Sequence, residues 1–133
     1  MTGRSHGTIR VRRAHDAAAE TERPAGETRV LVDRIWPRGL SKAALGADHW
    51  IREAAPSTGL RKWFAHDADK WAEFRRRYAA ELDARPETVA RLLDLARAGD
   101  LTLLFAARER DHNNAVALKA YLEDRLADEA ADG

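Results

Sequence analysis

A Trp-Pro-Arg-Gly corner directly follows the most hydrophobic segment of the chain. Pro37 fixes its own φ angle and Gly39 permits a tight reversal, so Arg38 between them is held in a rigid turn. A guanidinium in a fixed frame suits bidentate binding of a phosphate or carboxylate. Lys42 adds a second positive charge, and Trp36 offers a face on which a flat ligand can stack. The corner therefore predicts an anion-binding site.

Two charged residues precede this corner and allow both a functional and a structural interpretation. In the functional one, Asp33 is a candidate catalytic carboxylate and Arg34 a candidate ligand-binding residue. In the structural one, Asp33 pairs with Arg34 or Arg38, and Trp36 is a core aromatic residue that covers the end of the sheet. A Pro-Gly turn flanked by charges is common, so local sequence leaves both interpretations open.

The segment APSTGLRKWFAHD holds a second group of candidates. His66 is the best general acid–base candidate among the five histidines, because Asp67 follows it directly and can tune its charge. Arg61 and Trp63 are candidate ligand-binding residues nearby. Ser57 is a further candidate, although a serine after proline at a helix start is more typical of an N-cap. An isolated histidine before a helix is likewise more typical of a surface or capping residue.

A third polar stretch, residues 108–114, follows the last predicted strand and precedes the last predicted helix. Free N–H groups at a helix start attract anions, and an asparagine side chain can orient a sugar or a base. Asn113 is therefore a candidate ligand-binding residue. Capping of the following helix explains Asn113 equally well, and the sequence leaves these alternatives open.

Several other kinds of chemistry find no support in the sequence. The chain has no cysteine, which excludes a thiol nucleophile and a disulfide. The histidines lack the spacing of metal ligands, and neither glycine-rich nucleotide-binding motif is present. We therefore predict no metal and no cofactor. The formal net charge of +1 argues against a surface built wholly for nucleic acid.

Alternating strand and helix patterns predict the elements that must position these residues. Apolar runs predict buried strands at residues 8–13, 28–35 and 101–107. Residues 14–28 are loop-like, with a weak helical turn over residues 16–22. Helical patterns are expected after Asp48, where Trp50 and Ile51 would lie on a short helix, and after Ser57, Asp67, Arg85 and the polar stretch 108–114.

These elements predict an α/β fold with a small, mainly parallel sheet and helices on both faces, in a single compact domain. We place this domain at residues 8–127, between a flexible N-terminus at residues 1–7 and a frayed C-terminus at residues 128–133. In a parallel sheet, both polar corners that follow strands open at the same edge, where ligands of α/β proteins usually bind.

Three ordered segments of the chain resemble the YeaO-like family, also called domain of unknown function 488. They are VDRIWPRGLSK, APSTGLRKWFAHDADKWAEFRRRYAAEL and LTLLFAARERDHNNAVALKAYL. The resemblance runs from about Thr8 to Leu122 and implies a compact α/β domain of the bacterial cytoplasm, without implying an activity. The candidate residues that match the family pattern are Asp33, Arg34, Trp36, Arg38, Lys42, Ser57, Arg61, Trp63, His66 and Asn113. This chain has Phe105 where the family commonly has tyrosine, so a hydroxyl there is not essential to a shared role.

The favoured function is binding of a small anionic ligand, nucleotide-like or phosphorylated, at the carboxyl edge of the strands. The residues leave open whether the protein also acts on that ligand. One alternative is a nucleic-acid-associated or regulatory protein without catalysis, which would use the basic strand of Arg10, Arg12 and Arg13. Another is a buried Asp–Arg network with function in a protein partner. No apolar run approaches the length of a membrane span and no signal peptide is recognisable, so we expect a cytoplasmic protein with no membrane contact.

Overall fold

The fold is built on a parallel β-sheet, seen in a computed structural model that describes residues 7–20 and 22–132. Within those residues the sheet has four strands: β1 (Ile9–Arg13), β2 (Glu27–Leu31), β3 (His49–Trp50) and β4 (Asp100–Phe105). Their order is β1-β4-β2-β3, and every pairing is parallel. The predicted α/β fold with a parallel sheet is therefore confirmed.

Helices surround the sheet on both faces, as predicted. They are α1 (Ala14–Ala19), α2 (Lys42–Leu45), α3 (Thr58–Phe64), α4 (Trp71–Asp83), α5 (Pro86–Ala98) and α6 (Asn114–Asp132). Two 3₁₀ turns, Arg52–Ala54 and Ala68–Lys70, precede α3 and α4 respectively. No helix within the described residues is both long and apolar enough to cross a bilayer.

The two central strands carry apolar side chains on both faces, which is why their sequences are almost uninterrupted apolar runs. On one face, Val30 and Leu103 join the larger core beneath α4, α5 and α6. On the other face, Leu31 and Leu104 join a smaller core with α1 and α2. All four of these side chains are fully buried.

The segment after Asp48 is an edge strand, so the prediction of a short helix there is wrong. The Asp48 N–H donates to the carbonyl of Arg29 at 2.8 Å, and the Asp48 carboxylate accepts the Arg29 N–H at the same distance. The Ile51 N–H donates to the Leu31 carbonyl at 3.0 Å. The exposed hydrogen-bonding edge of β2 thus determines the structure of this segment in place of its local helical pattern.

The helix predictions after Ser57, Asp67 and Arg85 are confirmed. Pro86 is the first residue of α5, and Gly99 follows its last residue. Helix α1 begins directly after β1, although we predicted a loop with a weak turn slightly later in the chain. Ala14 and Ala17 bury in the smaller core, and this burial favours the helix over the loop.

The structure describes the two chain ends in part. Helix α6 continues to Asp132, through most of the segment that was expected to fray. Residues 1–6 of the predicted flexible N-terminus and Gly133 lie outside the described residues. The Gly7 N–H donates to the carbonyl of Ala96 at 2.8 Å, so Gly7 is joined to the end of α5.

Candidate functional site

A cavity of about 370 Å³ lies beside the carboxyl ends of β2 and β4. Its wall combines the corner after β2, the residues after β4, part of α3 and the start of α6. Most of the predicted site residues line it, namely Asp33, Arg34, Trp36, Arg38, Arg61, His66 and Asn113. Lys42, Ser57 and Trp63 do not line it. The topology brings two sequence-distant polar corners together, because β2 and β4 are parallel neighbours.

The corner is a closed turn with internal hydrogen bonds. The Leu40 N–H donates to the Pro37 carbonyl at 3.4 Å, and the indole N–H of Trp36 donates to the Leu40 carbonyl at 2.6 Å. Gly39 has a φ of 81°, a conformation that favours glycine. Nε2 of His15 in α1 hydrogen-bonds to the backbone carbonyl of Arg38 at 3.0 Å. The backbone that carries Arg38 is thus fixed at several points.

Trp36 has a structural role besides its place in the cavity wall. Its ring packs edge-to-face on Trp50 with centroids 5.3 Å apart, and both rings pack against the smaller core. This arrangement agrees with the interpretation of Trp36 as an aromatic residue that covers the end of the sheet. The indole N–H of Trp50 donates to the backbone carbonyl of Asp33 at 2.7 Å, which fixes the first residue of the corner.

Asp33 places its carboxylate against the residues that follow β4. Oδ2 accepts the Ala106 N–H at 2.9 Å, and Oδ1 accepts from Nδ2 of Asn114 at 3.1 Å. Burial raises the pKa of Asp33, while these hydrogen bonds and the charge of Arg61 oppose the rise. Among the described residues Asp33 forms no ion pair, so the pairing with Arg34 or Arg38 that the structural interpretation offered is not formed.

Three exposed guanidiniums border the same cavity. Arg34 donates to the Pro56 carbonyl at 3.4 Å, a long hydrogen bond. The guanidiniums of Arg38 and Arg61 have no hydrogen-bond or ion-pair partner in the part of the chain that the structure describes. This is unlike Arg97, which pairs with two carboxylates. The site therefore combines a half-buried carboxylate with three positive charges that form no ion pair among the described residues.

His66 lies at the cavity on a left-handed turn. Ala65 and His66 have φ values of 46° and 59°, which end α3 and turn the chain sharply. The exposed ring of His66 lies 6.1 Å from that of Phe64, and no described carboxylate hydrogen-bonds to it. Nothing among the described residues thus orients this imidazole, and its general acid–base role stays a prediction.

The predicted residues outside the cavity have other contacts. Ser57 caps α3, since its Oγ accepts the Leu60 N–H at 3.2 Å, and its own N–H donates to Glu81 at 2.7 Å. The Arg77 guanidinium lies 4.2 Å from the centre of the Trp63 ring, which occupies that aromatic face. Lys42 is exposed at the start of α2.

Asn113 lines the cavity but uses its polar atoms inside the protein. Its side chain is 2% exposed, and Oδ1 accepts the Val116 N–H at 3.0 Å, which caps α6. Its Nδ2 donates to the carbonyls of Glu109 and Arg110. The capping alternative for Asn113 is the one that the structure contains.

Asn114 belongs to the site although it was not among the predicted site residues. Its Nδ2 bridges the Val32 carbonyl and the Asp33 carboxylate, both at 3.1 Å, and so connects α6 to β2. An Asn-Asn pair at a helix start was the available signal, because one asparagine suffices for the cap. Ile35, 64% exposed, also borders the cavity and places an apolar side chain at its rim.

Within the described residues, no group of three His, Asp or Glu side chains is arranged to hold a metal ion. A second cavity of about 310 Å³ lies between α4 and α6, lined by Arg75 and Asp124 among others. It contains none of the predicted site residues.

Comparison with known proteins identifies the family. Residues 8–133 match the family described as "Inactive DUF488-N3 subclade". The uncharacterized protein YeaO of Escherichia coli K12 is 40% identical over 114 residues, which are 86% of this chain and 96% of YeaO. The uncharacterized protein Rv3073c of Mycobacterium tuberculosis H37Rv is 35% identical over 102 residues, 77% of this chain and 86% of the relative. The chain therefore belongs to the YeaO-like DUF488 family, as its motifs predicted. No solved structure matches it.

Proposed function

We propose that the protein binds a small anionic ligand, nucleotide-like or phosphorylated, in the cavity at the carboxyl ends of β2 and β4. One observation carries this proposal: Arg34, Arg38 and Arg61 border one cavity, and none of them forms an ion pair with a described carboxylate. Like charges gathered at one place repel each other, so an anion that binds there relieves a cost that the free protein pays.

The geometry of the corner favours a phosphate or carboxylate over a diffuse counter-ion. A guanidinium donates two parallel N–H groups to such an anion, and a rigid backbone reduces the entropy lost on binding. The turn at Gly39 and the contacts from His15 supply that rigidity to Arg38. The volume of about 370 Å³ lies within the range of roughly 300–1,000 Å³ typical of small-molecule sites.

Binding is better supported than turnover. The subclade that this chain matches is described as inactive. Because the chain matches that subclade, we extend the expectation of inactivity to it. His66 lacks an orienting carboxylate among the described residues, and Asp33 already accepts two hydrogen bonds. The predictions of catalytic roles for Asp33 and His66 are therefore retained only as hypotheses for an activity screen.

The nucleic-acid alternative has less support. Two arginines of the basic strand have partners within the protein. Arg12 forms an ion pair with Glu20, and Nε of Arg13 donates to the Ala106 carbonyl at 3.3 Å. Both are engaged within the protein, which leaves Arg10 as the exposed member of the set. The alternative of a buried Asp–Arg network has less support still, because Arg38 is exposed and Asp33 lacks an arginine partner.

Calorimetric titration with inorganic phosphate and adenosine 5′-monophosphate tests the proposal. We expect Arg38→Gln to weaken binding about tenfold, equivalent to ~1.4 kcal/mol, because one charged donor pair is lost. Arg75→Gln is the matched control, since Arg75 is an exposed arginine at the other cavity. Equal binding by both variants, or no binding by the wild type, would refute the site. Retention on DNA at low salt that disappears as salt rises would favour the alternative.

A further inference from the structure

Asp33 is a half-buried carboxylate with unused acceptor capacity. An ionised carboxylate offers about four lone-pair positions, and the Ala106 N–H and Asn114 Nδ2 fill one on each oxygen. It belongs to none of the ion pairs among the described residues, the charge of Arg61 acts on it without such a pair, and it lines the cavity. A carboxylate partly withdrawn from water is stabilised when hydrogen bonds fill its remaining acceptor positions. The cavity side is where further donors can reach it.

Asn114 adds an acceptor beside this carboxylate. Its Nδ2 donates to the Val32 carbonyl and to Asp33, while no described residue donates to its Oδ1. Asn114 also lines the cavity. The same cavity therefore has two kinds of lining: guanidinium donors at its corner and α3, and adjacent acceptors at the start of α6.

On the basis of the anion site proposed above, we infer that the ligand is a phosphorylated sugar, free or as part of a nucleotide. Its phosphate binds the guanidiniums of Arg34, Arg38 and Arg61. Its ring hydroxyls donate to the carboxylate of Asp33 and to Oδ1 of Asn114. Vicinal hydroxyls match paired acceptors of this kind, since a carboxylate accepts from a ribose diol in the same way in dinucleotide-binding proteins.

Other donor groups fit this lining less well. An ammonium group would enter a cavity bordered by three guanidiniums and meet their repulsion. A flat ring needs a free aromatic face for stacking. Here Phe64 stacks on Phe74 with centroids 4.3 Å apart, and Trp36 packs on Trp50. A saturated ring with several hydroxyl groups carries no positive charge that the guanidiniums would repel, and it binds without an aromatic face.

The test is a calorimetric comparison on the wild-type chain with four probes: inorganic phosphate, ribose 5-phosphate, adenosine 5′-monophosphate and 2′,3′-dideoxyadenosine 5′-monophosphate. We expect ribose 5-phosphate to bind at least about tenfold more tightly than phosphate. The dideoxy nucleotide should bind about tenfold more weakly than the ordinary nucleotide. Similar affinities for ribose 5-phosphate and the nucleotide would assign the free sugar phosphate, and a tighter nucleotide would assign the nucleotide.

Asp33→Asn supplies the second arm, with Asp124→Asn at the other cavity as its control. We expect Asp33→Asn to remove the advantage of ribose 5-phosphate over phosphate while phosphate itself still binds. If the wild type binds phosphate as tightly as ribose 5-phosphate and ignores the missing hydroxyls, the sugar inference is overturned and the anion site stands. If no probe binds, the proposed function fails as well. The dideoxy comparison decides the question even if Asp33→Asn does not fold.

Discussion

The two ends of β2 each hold a cluster of charged residues, but only one of the clusters is paired within the protein. At the amino end, Glu27 and Arg29 are both buried and form an ion pair at 2.8 Å. Thr102 donates its hydroxyl to the other oxygen of Glu27 at 2.6 Å. At the carboxyl end, Asp33 has no such arginine among the described residues, although Arg38 borders the same cavity.

The pKa values of the buried Glu27 and the half-buried Asp33 shift in opposite directions. Burial acts to raise the pKa of Glu27, but hydrogen bonds from Thr102 and Arg29 outweigh it, and the pKa is lowered. Burial also raises the pKa of Asp33, and there the hydrogen bonds from Ala106 and Asn114 do not compensate. Charges satisfied internally stabilise a fold, whereas charges left unsatisfied at a cavity are available to a ligand. We therefore assign a structural role to the amino end, while the ligand binding proposed above falls at the carboxyl end.

The largest effect that tests this comparison is expected at the amino end. Arg29→Met leaves the buried Glu27 without its closest cation and should lower the free energy of unfolding by about 3 kcal/mol. Arg23, at 3.5 Å from Glu27, compensates only in part. Urea denaturation at neutral pH measures the change.

Glu27→Gln combined with Arg29→Met is the control for this experiment. Removing both charges should recover part of the lost stability, because no unpaired buried charge remains. If Arg29→Met is as stable as the wild type, the amino-end pair has no structural role and the contrast between the two ends disappears.

A smaller effect is expected in the pH dependence of stability, with opposite signs at the two ends. The folded-state pKa of Glu27 is lowered, so its contribution is present above the pKa of the unfolded chain and is lost as the pH falls through the folded value. The folded-state pKa of Asp33 is raised, so the fold loses stability as the pH rises from the unfolded value through the folded one. Each unit of pKa difference corresponds to about 1.4 kcal/mol.

Urea denaturation of Glu27→Gln and Asp33→Asn as a function of pH separates these contributions. As the pH is lowered, the free energy of unfolding of Glu27→Gln should fall less than that of the wild type. The free energy of unfolding of Asp33→Asn should not show the decline that the wild type shows as the pH rises above the ordinary aspartate pKa. Parallel curves for the wild type and both variants would show that neither carboxylate is perturbed as described.

The fold was predictable from sequence because its strands are long apolar runs and its main helices carry strong start and stop signals. Pro86 and Gly99 bracket α5, and the burial of Phe74 and Tyr78 follows from their helical spacing. The short strand β3 was not predictable from local pattern, because it forms through pairing with β2. The expected parallel sheet also predicted that the two polar corners open at one edge, and the pairing of β2 with β4 places them side by side there.

The members of the site were only partly predictable, because hydrogen-bond partners depend on the three-dimensional arrangement. Sequence could not decide whether Asn113 caps a helix or faces a ligand, and it did not separate the role of Asn113 from that of Asn114. It also could not show that Asp33 has no arginine partner while Glu27 has one. Both acids lie close to arginines in the chain, but Glu27 and Arg29 are two residues apart on one face of β2, whereas Asp33 lies in the corner beyond the end of that strand.

The smallest expected effect concerns the stability contribution of the site arginines. The double substitution Arg38→Gln with Arg61→Gln should change the free energy of unfolding by less than about 0.5 kcal/mol, since both side chains are exposed and unpaired within the described residues. Sodium chloride should stabilise the wild type slightly more than the double variant, because salt screens repulsion between clustered cations. Arg97→Gln is the matched control, because Arg97 pairs with Glu129 and Asp94 and salt should weaken those attractions instead. A double variant that unfolds readily would mean that these guanidiniums support the fold, and the division between a structural amino end and a binding carboxyl end would then be wrong.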